Sequence, residues 1–214
     1  MSTADVLGWT GALTGGFMTA IQYVRARRVG IEGISPLTWS LFLMMGIFWL
    51  AYGFQQRSAC MVAGTVLVAP VQAAILAAIG WKHIWRSVLG SFGIVVFSIL
   101  LPTALWGWNA GAGAIGVVMV VTRFPQLVDL IRLPSVEGVS VMSWLLSSIN
   151  LGLWLYYYVD KGDSGAALSM VITIVMNLLI TGMAARRHHH TQEVLARWRA
   201  RISAGTAKAR PEKF

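Results

Sequence analysis

The chain has 214 residues, 57% of them hydrophobic and only 12% charged, with a mean hydropathy of +0.67. Roughly a quarter of the residues of an ordinary soluble domain are charged, so the composition excludes that class and points to a membrane protein. The formal charge of +9 does not call for nucleic acid, because the basic residues lie mostly in short loops and the tail, where they report membrane orientation.

In chain order, seven apolar stretches are separated by short polar links: 6–24, 37–54, 60–79, 88–106, 110–131, 141–158 and 166–185. The first is preceded by Asp5 and by no Lys or Arg, and it is long enough to cross a bilayer, so it does not read as a signal peptide. At 1.5 Å per residue each stretch reaches about 30 Å, enough for a hydrocarbon core, and within lipid such segments must be helical. With the N-terminus outside, fourteen Lys and Arg residues fall on the inner side, eight of them in the tail, against Arg57 and Lys161 on the outer side. The remaining one, Arg123, lies within the fifth stretch. This bias predicts an outer N-terminus and a cytoplasmic C-terminus, in a cell membrane. Trp81, Trp85, Trp106 and Trp108 at the ends of stretches fit an interfacial aromatic belt.

The chain also repeats itself. Glu32-Gly33-Ile34-Ser35 and Trp39 are matched 105 residues later by Glu137-Gly138-Val139-Ser140 and Trp144, and Trp49 and Tyr52 by Trp154 and Tyr157. Eight of 21 positions from Glu32 to Tyr52 are identical to their counterparts, where accident predicts roughly one or two, so this is an internal repeat. A one-residue slip brings Gln22 opposite Gln126. The halves contain stretches 1–3 and 5–7. Three is odd, so the extra fourth helix restores the same orientation to both halves and predicts parallel repeats about an axis along the membrane normal. The expected organisation is a first three-helix repeat (1–86), a linker helix (87–109), a second repeat (110–185) and a basic tail (186–214).

Phe124-Pro125-Gln126 at the inner end of the fifth stretch, the Glu-Gly-x-Ser loop and the following Trp-x-x-Tyr resemble the PQ-loop superfamily. The 3+1+3 layout is similar to the SWEET sugar transporters and their half-size SemiSWEET relatives. That resemblance implies an all-α transmembrane fold in which two parallel three-helix bundles face each other across a central pocket. It further implies a facilitative carrier, working by alternating access, for a small neutral polar solute with a sugar as the leading class. A ligand receptor or scaffold without transport, or a proton-coupled amino-acid carrier, stays open. By position, Trp49 and Trp154 match the pocket residues that stack on a sugar ring, and Asn150 matches an asparagine common in the family. The family's other pocket asparagine is replaced by Thr65 and Met170.

Gln72 and Asn177 are again 105 apart and lie seven residues beyond Thr65 and Met170, hence on the same helix faces. Amides embedded in apolar helices normally face protein or a water-filled cavity, so the pair reads either as part of the substrate site or as plain interhelical hydrogen bonding. Gln22 and Gln126 are expected at an inner gate, with Pro125, which removes a backbone donor, either as its hinge or as a passive kink. Arg123 shares a helix face with Gln126. It reads either as an anionic-group contact or gate, or as an arginine that snorkels toward the inner interface or bonds carbonyls opened by Pro125. Asp129 reads as a surface partner of Arg132 or as a proton-coupling carboxylate.

Val194, Leu195, Trp198 and Ile202 recur at helical spacing opposite Arg197, Arg199 and Arg201, which predicts an amphipathic helix on an anionic inner leaflet. Beyond Ala204 the composition predicts disorder. The glycine pairs Gly11/Gly15 and Gly107/Gly111 have a spacing that fits close helix packing and leaves a homo-oligomer open. The lone Cys60 reads as a small hydrophobe. No catalytic set, nucleotide-binding loop, metal ligand set or cofactor motif emerges, and the expectation is a non-enzymatic membrane protein.

Overall fold

Seven helical rods carry the apolar stretches. The computed structural model describes the backbone of residues 3–160, 162 and 164–208, and the side chains of these apart from 4, 109, 112, 164–166 and 193–208. The first three rods are α1 (Thr3–Arg28), α2 (Pro36–Gln55) and α3 (Ala59–Ile79). The fourth consists of α4 (Trp81–Val95), a π-helical turn (Val96–Leu100) and α5 (Leu101–Trp106). The fifth is α6 (Trp108–Val121) followed by α7 (Phe124–Arg132), and the last two are α8 (Val141–Asp160) and α9 (Ser164–Lys208).

This is an all-α transmembrane fold. Among the described residues, five stretches are long and apolar enough to cross a membrane: Pro36–Gln55, Ala59–Ile79, Trp81–Trp106, Gly113–Arg132 and Ala167–Gln192. The two remaining rods, α1 and α8, are the ones that pack along each other between the halves. Their position lets them carry the threonines, glycines, serines and asparagine that a lipid-facing helix avoids. The outward faces of the molecule present Leu13, Phe17, Ile47, Phe97, Val117 and Leu168, all more than 60% exposed, as a surface in contact with acyl chains requires.

Each half is a three-helix bundle. In the first, α3 packs against both α1 and α2; in the second, α9 packs against α8 and α6. The halves meet along α1 and α8 on one side. On the other, α2 touches α7, and the fourth rod lies between α2 and α6. The linker helix thus stands where a symmetric pair would have closed directly, and it shares a core of Met45, Phe48, Val95, Ile99, Ile115 and Met170 with both bundles.

The local irregularities follow from prolines. Pro36 occupies the first turn of α2, where its missing N–H is not needed. Pro102 follows the π-helical turn directly, and the Leu101 N–H reaches back to the Val96 carbonyl there. Pro125 lies in the first turn of α7, just after the α6–α7 break at Thr122 and Arg123. The corresponding rod of the first half, α1, has no proline in its interior and runs unbroken for 26 residues.

Three sequence expectations change. The linker helix begins at Trp81 rather than 87, because only Gly80 separates α3 from α4. Trp108 does not join the interfacial belt: its ring packs 5.8 Å from that of Phe48 and 6.0 Å from that of Tyr52, whereas Trp81 and Trp106 are about 70% exposed. The tail does not begin a separate helix. The 45 residues of α9 extend about 68 Å, past any bilayer core, and the helix continues through Ala204 to Lys208. The amphipathic side chains expected from Val194 to Ile202, and residues Lys161 and 209–214, lie outside what is described.

Candidate functional site

The repeated Glu-Gly-x-Ser segments do two things at once. The Ser35 hydroxyl accepts the Thr38 backbone N–H at 3.4 Å and the Ser140 hydroxyl that of Ser143 at 3.1 Å, capping the first turns of α2 and α8. The glycines bring the two segments into contact. The Gly138 N–H donates to the Glu32 carbonyl at 2.9 Å, and a methyl group on Gly138 would sit 2.8 Å from the Ile31 carbonyl carbon. Gly33 has a φ of +82°, and a Cβ there would meet the Val136 backbone at 2.6 Å.

Each half also sends a glutamine into the other half's segment. The Gln22 amide donates to the Gly138 carbonyl at 2.8 Å, and its oxygen accepts the Ser140 N–H at 2.8 Å. The Gln126 amide donates to the Gly33 carbonyl at 2.6 Å, and its oxygen accepts the Ser35 N–H at 3.0 Å. One layer deeper the exchange is repeated. The Ser143 hydroxyl donates to the Met18 carbonyl at 2.7 Å and the Thr38 hydroxyl to the Thr122 carbonyl at 2.9 Å. Gln22 and Gln126 are each 1% exposed, so this face is sealed by paired, repeat-related hydrogen bonds. Outside them, Arg25 donates from Nε to the Glu137 carbonyl at 2.8 Å, and its guanidinium stands 4.0 Å from the Glu137 carboxylate.

Above this seal lies a cavity of about 210 Å³ between the two bundles. Of the predicted substrate residues, Trp49, Trp154, Asn150, Thr65, Met170 and Gln72 all line it. Asn177 does not. It is fully buried, donating to the Ser147 hydroxyl at 2.8 Å and accepting from Arg123 Nε at 3.2 Å. The repeat pair therefore divides its tasks: Gln72 faces the cavity, while Asn177 holds an arginine. Asn150 donates to the Gly11 carbonyl, and the Thr65 hydroxyl is turned back to the Met61 carbonyl at 3.2 Å. Both indoles pack within their own helices, Trp49 against Tyr52 at 5.9 Å and Trp154 against Tyr157 at 5.5 Å.

Arg123 lines the cavity as well and is only 4% exposed. Its Nη1 donates to the Met119 carbonyl and to the Thr122 hydroxyl, and its guanidinium carbon lies 4.9 Å from the centre of the Phe42 ring. The guanidinium is turned into the protein, and its bond to the Met119 carbonyl beside the helix break matches the reading of an arginine held by freed carbonyls. Pro125 and Asp129 lie elsewhere, in a second hollow shared with Ser35, Leu41, Ser87 and Ile94 beside the fourth rod. The helix break that accompanies Pro125 reaches the cavity through Arg123. Asp129 does not line the cavity, and no Asp or Glu does among the described residues.

Sequence reasoning missed Phe42, Ser147, Thr38 and Ser143. The last two carried a signal: Thr and Ser recur 105 apart, three residues after each cap. It also missed Arg187, which donates to the Leu130, Leu133 and Pro134 carbonyls at 2.7, 2.9 and 3.0 Å and closes the end of α7. Compared with family models, curated proteins and solved structures, the chain matches none.

Proposed function

We propose that the chain is a facilitative carrier that moves a small polar solute by alternating access between its two three-helix bundles. The observation that carries this reading is a central cavity lined by both repeats and sealed at one face by hydrogen bonds that the repeats exchange in pairs. A site between two similar halves can open to either side by rocking one bundle against the other, and a seal built from a few exchanged amides is a bistable element of the right kind. The volume is below the about 300–1,000 Å³ of sites for drug-sized ligands, which fits a metabolite. The likeness to SWEET proteins makes an uncharged sugar the class to test first, and two indoles on the wall suit a ring. In this proposal the sealed face, which carries Arg25, Arg27 and Arg28, is cytoplasmic and the N-terminus lies outside the cell membrane.

The purified protein in liposomes, loaded and assayed for counterflow with hexoses and amino acids, tests the class. Saturable counterflow of one solute supports the carrier. Saturable binding without counterflow of the same solute supports the second reading, a receptor or scaffold, which the sealed cavity also permits.

A further inference from the structure

A guanidinium has five N–H donors in a fixed fork. In Arg123 one is used by Asn177 and two by Met119 and Thr122, all from Nε and Nη1. The two on Nη2 donate to no protein atom among the described residues. The charge is equally unmatched, since no carboxylate lies within ion-pair distance of Arg123 among the described residues. The Phe42 face offers some compensation, but a single cation–π contact is worth far less than the desolvation of a buried cation. Arg123 occupies the position just before α7, with no side-chain cap hydrogen bond of its own. An unmatched positive charge therefore stands at a cavity wall that has no carboxylate among the described residues.

The surroundings narrow what would neutralise it. The Gln72 side chain makes no hydrogen bond within the described protein, faces the same cavity and adds two amide donors, and Ser147 adds a hydroxyl. Thr65, Asn150 and Tyr158 add further polar groups, and most of the remaining wall is apolar, with Phe42, Met45, Met119, Leu151, Met170 and the two indoles. One cation matches one negative charge. A dianion would leave a charge uncompensated among thioethers and rings, which is strongly unfavourable. An inorganic ion would leave that apolar wall without a partner.

We propose that Arg123 is an anion-binding residue and that the cavity takes a small organic monoanion, its carboxylate on the Arg123 Nη2 edge with Gln72 beside it and its body against Trp49 and Trp154. Arg123 has no counterpart in the first half, where the repeat places Thr19, whose hydroxyl bonds its own helix at Gly15. The solute is therefore held in one orientation, carboxylate toward the second bundle. The transport meaning of this site rests on the carrier reading; the binding itself does not.

The test is calorimetric titration of the purified full-length protein with acetate, lactate and benzoate, each against its own amide, at constant ionic strength. At least one carboxylate should bind ten or more times tighter than its amide, and Arg123→Gln should reduce that ratio to about one, with Arg123→Lys retaining part of it. Amides binding as well as acids, no acid binding at all, or a preference that survives Arg123→Gln would overturn the proposal. Should Arg123→Gln fail to fold, the acid-to-amide ratio of the unaltered protein decides alone. Counterflow of the bound acid in liposomes then separates the two readings. Binding without counterflow keeps the anion site and removes the carrier. Counterflow of a hexose with no acid binding does the reverse.

Discussion

Gln22 and Gln126 hold each other's half of the molecule: Gln22 grips Gly138 and Ser140, and Gln126 grips Gly33 and Ser35. Exchange of equivalent contacts across a pseudo-twofold axis makes the seal cooperative, because the four bonds form or break as the two segments approach or part. Replacing Gln22 with Leu keeps the bulk but strands a buried carbonyl and a buried N–H, at about 1–3 kcal/mol each.

That penalty falls on the sealed state alone, so Gln22→Leu and Gln126→Leu should each raise the open population at least tenfold, at 1.4 kcal/mol per factor of ten. The readout is maleimide labelling of Met18→Cys, a cavity residue on the far side of the seal from the Gly33 face, in a Cys60→Ser background with reagent at the Gly33 face. Unchanged labelling rates in both glutamine variants would show that these amides do not govern opening.

Gly138→Ala should break the seal by geometry instead. Its methyl would stand 2.8 Å from the Ile31 carbonyl carbon and 2.9 Å from the Glu32 nitrogen, and backbone atoms cannot step aside as a flexible side chain can. Overpacking of this kind costs about 1–3 kcal/mol. Gly152→Ala in α8 is the control, since nothing lies within 4 Å of its added methyl and alanine is the better helix former. Thermal unfolding in detergent should show Gly138→Ala lowered and Gly152→Ala unchanged or raised.

Much of this was legible in the sequence because a repeat constrains two positions at once. The 105-residue offset placed Trp49 with Trp154 and Thr65 with Met170, and all four line one cavity. The same symmetry misled for Asn177: it predicts two amides in the cavity, but Arg123 has no partner in the first half, and satisfying it draws Asn177 out of the site. Single-residue asymmetries of this kind cannot be read from a repeat. The exchange of glutamines was illegible for a different reason. Nothing in a helical period tells whether a buried amide bonds its own half or the other, and the 116 residues between Gln22 and Gly138 carry no local signal. The tail is helical, as the spacing from Val194 to Ile202 predicts, but it continues α9 instead of starting a new helix, because no glycine or proline interrupts the chain between the last span and Ile202.

Arg187 shows what the start of that tail does. Its three bonds to the carbonyls at the end of α7 tie the second bundle's outermost turn to α9, and hydrogen bonds to charged donors contribute about 1.5–3 kcal/mol. Arg187→Ala should lower the unfolding midpoint measurably. Truncation after Gln192 leaves those bonds intact and should not lower it. Equal loss in both variants would assign the stabilisation to the distal tail instead.

Pro125 stands where its absent N–H is not missed, so Pro125→Ala should leave stability within about 1 kcal/mol of the parent. If the break at Thr122 and Arg123 is the hinge of the proposed carrier, the same variant should slow turnover severalfold while leaving solute affinity unchanged. Counterflow rates and titration on the same preparation separate the two effects. A loss of affinity with unchanged turnover would assign Pro125 to positioning Arg123 rather than to motion.

The cavity itself is tested by its walls. Trp154 covers Gly11 closely, the indole nitrogen lying 3.0 Å from where a Cβ would be, and it presents the rest of its face to the solute space. Trp154→Ala should weaken transport of a ring-bearing solute by about 1 kcal/mol or more through lost stacking and contact area, which is about fivefold, while Trp154→Phe should keep most of it. Gln72→Ala removes the only side-chain amide in the cavity that makes no bond within the described protein, and should weaken solute binding without lowering the unfolding midpoint. Met170→Asn adds an amide to the cavity wall and should raise affinity for a hexose if hexoses are carried. Should Trp154→Ala and Gln72→Ala both fold normally and transport at the parent rate, the solute passes somewhere other than between Trp49 and Trp154.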